Sequence, residues 1–204
     1  MHKRIYFDLE TTTKYPSNAT TLEFAYWIVD TQTNPFEPLD AGQIYCNIDT
    51  PIPASSTAIH GINNAKLLLL SDGKYFWEHA SRIRKIFAPC QSVGGYNCKT
   101  FDIPILTRDL LNAGESPLPQ LPVVDYCRKI RGFNLGLPNT QLETVYNWVL
   151  RQQDITSQQV EALFLDYVKR FDIRNLGTSA HGALFDTFMT IVVTQWFEAH
   201  GYPC

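Results

Sequence analysis

Apolar side chains near the start of the chain come in three short runs, KRIYFDL (3–9), LEFAYWIV (22–29) and GQIYCNI (42–48). β-branched and aromatic residues dominate them, and turn-forming stretches, TKYPSN and DTQTNPFEPLDAG, lie between. This pattern predicts three strands in an antiparallel meander. From residue 77 the period becomes helical: Trp77, Ala80, Ile83 and Phe87 share one face, Glu78, Arg82 and Lys85 the other. QSVGGYN (91–97) reads as a fourth strand. It leads into a helix near 102–112 that carries Ile103, Leu106 and Leu110 on one side, admits Pro104 in its first turn and stops at Gly114. LPVVDY (121–126) predicts a fifth strand and TQLETVYNWVL (140–150) a helix. Val160, Leu163, Phe164, Tyr167, Val168 and Phe171 then form a stripe at helical spacing over 157–171, and a last helix runs from near Ala180 to Glu198 with Thr178 or Ser179 as its cap. Strands first, then strands alternating with helices, imply an α/β fold with a mixed sheet flanked by helices. The expected organisation is one domain over residues 1–204, with a helical insertion near 152–176.

Two carboxylates break this pattern where it is most apolar. Asp8 and Glu10 follow Ile5, Tyr6 and Phe7 at once, and residues two apart on a strand share a face, so both project together with Leu9 opposite. Charge at the tip of a buried strand is costly unless something neutralises it. Like charges so close share a proton or bind a cation, unless they sit at a solvated strand end.

Composition narrows the partners. Seventeen basic residues against twenty acidic ones give a net charge of −3, so the chain lacks the global basic field of many nucleic-acid binders. Its basic clusters, Arg82-Arg84-Lys85, Arg128-Lys129-Arg131 and Lys169-Arg170-Arg174, read first as solvated faces. Five scattered cysteines with no C-x-x-C pair argue against a disulfide framework and a zinc site, and for an intracellular, reducing compartment such as the cytoplasm, nucleus or nucleoid. No apolar stretch approaches a membrane span, and the expectation is of no export signal, which leaves the sequon Asn18-Ala19-Thr20 to chance.

Two further motifs carry chemistry. In YNCKTFD (96–102), Asp102 opens a helix after a strand, where the helix dipole favours a carboxylate and simple capping would account for it. A phosphate loop is the rival reading of GGYNCKT, but Cys98 and Val93 stand where its glycines should be. In HGALFD (181–186), five residues separate His181 from Asp186, about 140° on a regular helix, so the two are not paired metal ligands of the i, i+4 kind. The spacing suits a His181 in the entering loop or first turn and an Asp186 on the helix body, although a lone histidine near a helix start is more often structural.

In this order, D-x-E on the first strand, N-x-x-x-F-D at a strand-to-helix junction and H-x-x-x-x-D on the last helix resemble the DEDDh, DnaQ-like branch of the 3′–5′ exonucleases. Thr11-Thr12 after Glu10, AIHGIN (58–63) and VVDYCRKI (123–130) resemble further family segments; Thr13 and Tyr96 depart from it, where a glycine and a histidine are frequent. The resemblance implies a ribonuclease H-like mixed five-stranded sheet and two divalent ions, Mg²⁺ or Mn²⁺, held by Asp8, Glu10, Asp102 and Asp186. It implies His181 as general base, with Leu9, Thr11, Thr12, His60 and Asn97 holding or supporting the terminal nucleotide. The expected activity is release of nucleoside 5′-monophosphates from the 3′ end of a nucleic acid, single-stranded DNA slightly ahead of RNA. A polymerase or other replication or repair protein is a conceivable partner. An RNA-trimming exoribonuclease or oligoribonuclease is the nearest alternative, and a catalytically silent nucleic-acid-binding module the alternative of another class. A net-acidic chain cannot hold a long duplex by counterion release alone, which favours a single-stranded 3′ end gripped by stacked bases.

Overall fold

A computed structural model describes residues 1–174 and 182–204. The three early strands are present: β1 (Lys3–Thr11), β2 (Thr21–Asp30) and β3 (Glu37–Tyr45) form the predicted antiparallel meander. β4 (Ser92–Gly95) and β5 (Val123–Asp125) add to the far side of β1 in parallel, giving a mixed five-stranded sheet in the order β3-β2-β1-β4-β5. β3 starts at residue 37 rather than 42, because it is an edge strand. Its Pro38 faces Val29 at a register shift, and an edge tolerates a missing donor that a central strand would not.

Helices cover both faces. On one side lie α3 (Phe76–Ile86) and α4 (Asp102–Asn112), packed against Ile5, Phe7 and Leu9 of β1. On the other lie α5 (Leu142–Gln153), α6 (Ser157–Arg170) and α7 (Ala183–Ala199), packed against Tyr6, Ala25, Trp27 and Val29. Two short helices, α1 (Ala54–His60) and α2 (Asn64–Leu70), sit in the 51–75 connection, where the sequence has no clear period. The LLLL run is in α2, which buries Leu67 and leaves Leu68 and Leu69 exposed.

The long last helix is apolar nearly all round because it is enclosed, with the sheet on one side and α5 on the other. It is capped by Gly182 rather than by Thr178 or Ser179, which lie outside the described residues. In α6, Val160, Phe164 and Val168 are buried, and Phe164 and Tyr167 close over the Trp27 ring. Leu163 of the predicted stripe is instead about half exposed, since it sits at the margin of the packed face. Among the described residues no helix is long and apolar enough to cross a membrane, and all five cysteines are free thiols.

β4 is the narrowest point of the sheet. A Cβ on Gly94 would collide with the ring of Tyr6, which is wholly buried beneath α7. Gly94→Ala is therefore expected to destabilise the fold by about 1–3 kcal/mol through overpacking. Urea unfolding measures this, and an unchanged midpoint would contradict the close approach of β4 to the Tyr6 ring.

Candidate active site

β1 carries side chains to two different environments. Tyr6 belongs to the α7 face and Phe7 and Leu9 to the α3–α4 face, so alternation sends Asp8 and Glu10 toward α7. β4 accompanies β1 only from Arg4 to Tyr6, while β1 continues to Thr11. Past Tyr6 one edge of β1 therefore lacks a strand neighbour. At Leu9 a side chain fills that gap: the Leu9 N–H donates to Asp102 Oδ1 at 3.1 Å. Asp102 does not cap its own helix. The cap position of α4 is Phe101, whose side chain accepts nothing, and within its own helix the Asp102 carboxylate meets only its own N–H.

Asp125, at the end of β5, places Asp102. Its carboxylate accepts from the N–H groups of Asn97 (2.9 Å), Lys99 (3.2 Å) and Cys127 (3.1 Å), and so shapes the turn that hands β4 on to α4. Asn97 itself is exposed and left-handed (φ 63°), its side chain accepting from Thr100 Oγ1 at 2.7 Å. Asp186 lies in the first turn of α7. The Trp27 indole N–H donates to the Leu184 carbonyl at 3.0 Å and pins that turn to β2.

Asp8, Glu10, Asp102 and Asp186 thus come from three elements to one end of β1. The electrostatics record their proximity. Burial, then Asp102, Glu10 and Asp186, push the Asp8 carboxyl well above the usual range. Burial, then Glu23 and Asp186 with Asp102 behind them, push Glu10 up to about 9. Burial, with Asp125 behind it, raises Asp102 to about 7 against the opposing N–H groups of Leu9 and of Asp102 itself.

A fifth carboxylate stands in the same group. Glu23 is the cross-strand partner of Glu10, beside a β-bulge that breaks the register between Glu10 and Thr11. It is 2% exposed, its Oε1 has no hydrogen-bond partner, and burial raises it to about 7 even with Lys66 nearby. Sequence reasoning overlooked both Glu23 and Asp125. The signal for Glu23 was available: it is a charge inside the apolar run LEFAYWIV, as Asp8 is inside IYFDL.

The other predicted residues gather around the end of β1 with their polar groups engaged internally. Leu9 is buried in the α3–α4 core. Thr11 Oγ1 donates to the Thr13 carbonyl at 2.9 Å. Thr12 exchanges bonds with Thr20 (N–H to O, 3.1 Å; Oγ1 from N–H, 3.0 Å), and its carbonyl accepts from Ser56 Oγ at 2.7 Å. His60 is buried; its Nδ1 accepts from the Ile62 N–H at 3.1 Å, which puts the proton on Nε2. That Nε2 faces the Thr11 backbone without full hydrogen-bond geometry, and burial holds the imidazole below its ordinary range. His181 lies outside the described residues.

Among the described residues no three His, Cys, Asp or Glu side chains stand close enough to hold an ion as they are. The donor chemistry nonetheless suits hard divalent cations. It is all carboxylate oxygen, the groups repel one another, and the buried Glu23 Oε1 has no partner. Without a cation these acids retain protons in the folded chain at pH values where the unfolded chain has lost them. Stability in a chelator is therefore expected to fall as pH rises from the ordinary carboxyl range through about 7 (Asp102, Glu23) to about 9 (Glu10), with Glu23→Gln flattening the slope. Melting temperature against pH in EDTA tests this, and a level profile contradicts it.

A family model described as exonuclease (RNase_T) matches residues 5–194. No curated protein matches the chain. Solved structures of E. coli Exonuclease I share the fold. The complex with a 5cy-dA13 oligonucleotide has a TM-score of 0.69 at 18% identity, covering 98% of this chain and 41% of that one. The zinc-bound Exonuclease I–ssDNA complex gives 0.70 at 18% identity with the same coverage. The SSB/Exonuclease I structure with the inhibitor CFAM gives 0.69 at 17% identity, covering 98% and 42%. The present chain thus spans about two fifths of the length of these neighbours, and at such identity the likeness is one of fold.

Proposed function

This chain belongs to the RNase T-type exonuclease family, the DnaQ-like DEDDh group of 3′–5′ exonucleases, and from that we propose that it is a metal-dependent hydrolase of nucleic-acid 3′ ends. The reaction is release of nucleoside 5′-monophosphates one at a time from a single-stranded end, DNA slightly ahead of RNA. One observation carries this reading: Asp102 and Asp186, distant in sequence, come close enough to Asp8 and Glu10 at one end of β1 that, with burial, they raise the proton affinity of both.

Asp8, Glu10, Asp102 and Asp186 would hold two divalent ions, Mg²⁺ or Mn²⁺, which when bound supply Lewis-acid activation of water and neutralise charge on the phosphodiester. Asp102 has a second task, since its bond to the Leu9 N–H ties α4 to β1 and keeps two of the acids in register. His181 would take the proton of the attacking water, and a neutral imidazole is suited to that near neutral pH. The Thr11–Thr12 segment would receive the terminal nucleotide. What supports this is its rigidity, from the bonds to Thr20 and Ser56 and the His60 ring against Thr11. Asn97 would support the site by shaping the turn before α4 rather than by contact. We read the helical stretch near 152–176 as an insertion in a single exonuclease domain.

Asp8→Ala is expected to abolish hydrolysis of end-labelled single strands. His181→Ala is expected to lower it by about 10²–10⁴-fold while leaving metal binding in place. Products resolved by length, on DNA and RNA, single- and double-stranded, with Mg²⁺ or Mn²⁺, give the measurement; wild-type rates in His181→Ala would remove the general-base assignment. Excess Mg²⁺ is expected to raise the melting temperature over that in EDTA, because the folded acids bind the cation and the unfolded chain does not. Identical melting in both would count against the metal site.

A further inference from the structure

Beside the end of β1, on the opposite side from the acids, the chain builds an aromatic corner that the chemistry above does not use. Tyr75 and Trp77 stack with ring centroids 4.2 Å apart and planes 9° from parallel. Trp77 is 60% exposed, whereas Trp27 and Trp196 are buried under helices. The corner is rigid. Tyr75 Oη donates to Asp49 Oδ1 at 2.6 Å, the Tyr75 N–H donates to Glu78 Oε2 at 2.8 Å, and Asn47 N–H donates to the Lys74 carbonyl at 2.7 Å. Tyr75 is therefore held before any ligand arrives and Trp77 is stacked on it, which lowers the ordering cost of binding.

Two pockets flank this corner. The ring side opens a cavity of about 340 Å³, walled by Tyr75 and Trp77 and bounded by Thr20, Asn47 and Asn112. The other side opens one of about 200 Å³, rimmed by Lys74, His79, Arg82 and Arg174. Asp72 and Asp172 pair with Lys74 and Arg174 only at the exposed surface. His79 registers the cations: burial, then Arg82 and Lys74, hold its imidazole below the ordinary range. Arg84, two residues after Arg82, is by contrast committed to the Pro117 carbonyl at 2.9 Å. Thr20, which lines the ring pocket, bonds Thr12 at the β1 end twice.

We propose that the Trp77 corner is a second nucleic-acid subsite, where a base of the single strand upstream of the 3′ end stacks on Trp77 and the phosphates of the following nucleotides pass around α3 onto Lys74 and Arg82. This rests on the exonuclease reading for the direction of the strand. Exposed aromatic faces beside cations suit single-stranded nucleic acid, since every base has a π-face and the backbone is a row of anions. The carboxylates of Asp49 and Asp109 line the ring pocket and keep phosphate to the cationic side. The corner also explains how a chain of net charge −3 would hold its substrate: its positive charge is local and interleaved with rings.

The test is anisotropy of 5′-labelled single strands, from dinucleotide upward, bound to the full chain in EDTA so that nothing is cleaved. Affinity is expected to step upward once the strand is long enough to reach the corner. Trp77→Ala should remove the step, weakening long strands about tenfold, while Trp77→Phe keeps most of it and Lys74→Ala with Arg82→Ala makes what remains less salt-sensitive. Melting temperatures verify folding, which the exposure of Trp77 favours. Equal affinity of the wild-type chain and Trp77→Ala at every length overturns the subsite. Absence of hydrolysis on every substrate with the step intact would sink the nuclease reading and leave the subsite standing.

Discussion

The site depends on a mismatch of strand lengths. β1 runs nine residues, but β4 lies beside it only from Arg4 to Tyr6, so the last part of β1 has a sheet neighbour on one side only. A buried N–H there must find a partner, and at Leu9 it finds the carboxylate of Asp102. One backbone bond thus satisfies the unfinished edge and brings the N-terminus of α4 against the carboxylates of β1. Had β4 continued, a strand would occupy the place where α4 now arrives.

Around that gap the chain tolerates an arrangement that charge alone would disperse. Asp102 opens α4 and Asp186 sits in the first turn of α7, so both occupy the positive ends of helix dipoles. Asp8 and Glu10 have no such compensation, and Glu23 sits directly across from Glu10. Their raised proton affinities are the energetic record of this crowding. The fold holds the group together by packing elsewhere: α7 is enclosed between sheet and α5, the Trp27–Leu184 bond fixes its first turn, and Phe164 and Tyr167 of α6 cover Trp27 from outside. The helix over 157–170 therefore backs the wall from which Asp186 projects.

Rigidity is distributed unequally around the β1 end. Thr11 and Thr12 are bonded to their neighbours, the turn at 96–100 hangs from Asp125, and Tyr75 is fixed at both its hydroxyl and its N–H. Near that end, Glu23 Oε1 and His60 Nε2 are buried without a hydrogen-bond partner. The frame satisfies most of its own polar groups and leaves these two atoms facing the acid cluster and the Thr11 backbone.

Much of this was legible in the order of residues. Strong local periods carried all five strands and the helices at 76–86, 102–112, 142–153 and 157–170, because alternation and helical stripes depend on neighbours a few residues apart. Asp8 and Glu10 stood out as charge in an apolar run. The early start of β3 was hidden, since Pro38 and Asp40 look like a turn until the edge position excuses them. Glu23 and Asp125 were hidden for a different reason: each matters through a partner on another strand or turn, Glu10 for one and the N–H groups of Asn97 and Lys99 for the other. By itself the sequence determined which elements form and which of them bear the acids, as these follow from local chemistry. Only the tertiary structure decided that Asp102 also serves β1, and that Glu23 joins the acids. Those outcomes are set by where β4 ends and by cross-strand register, which no local stretch of chain contains.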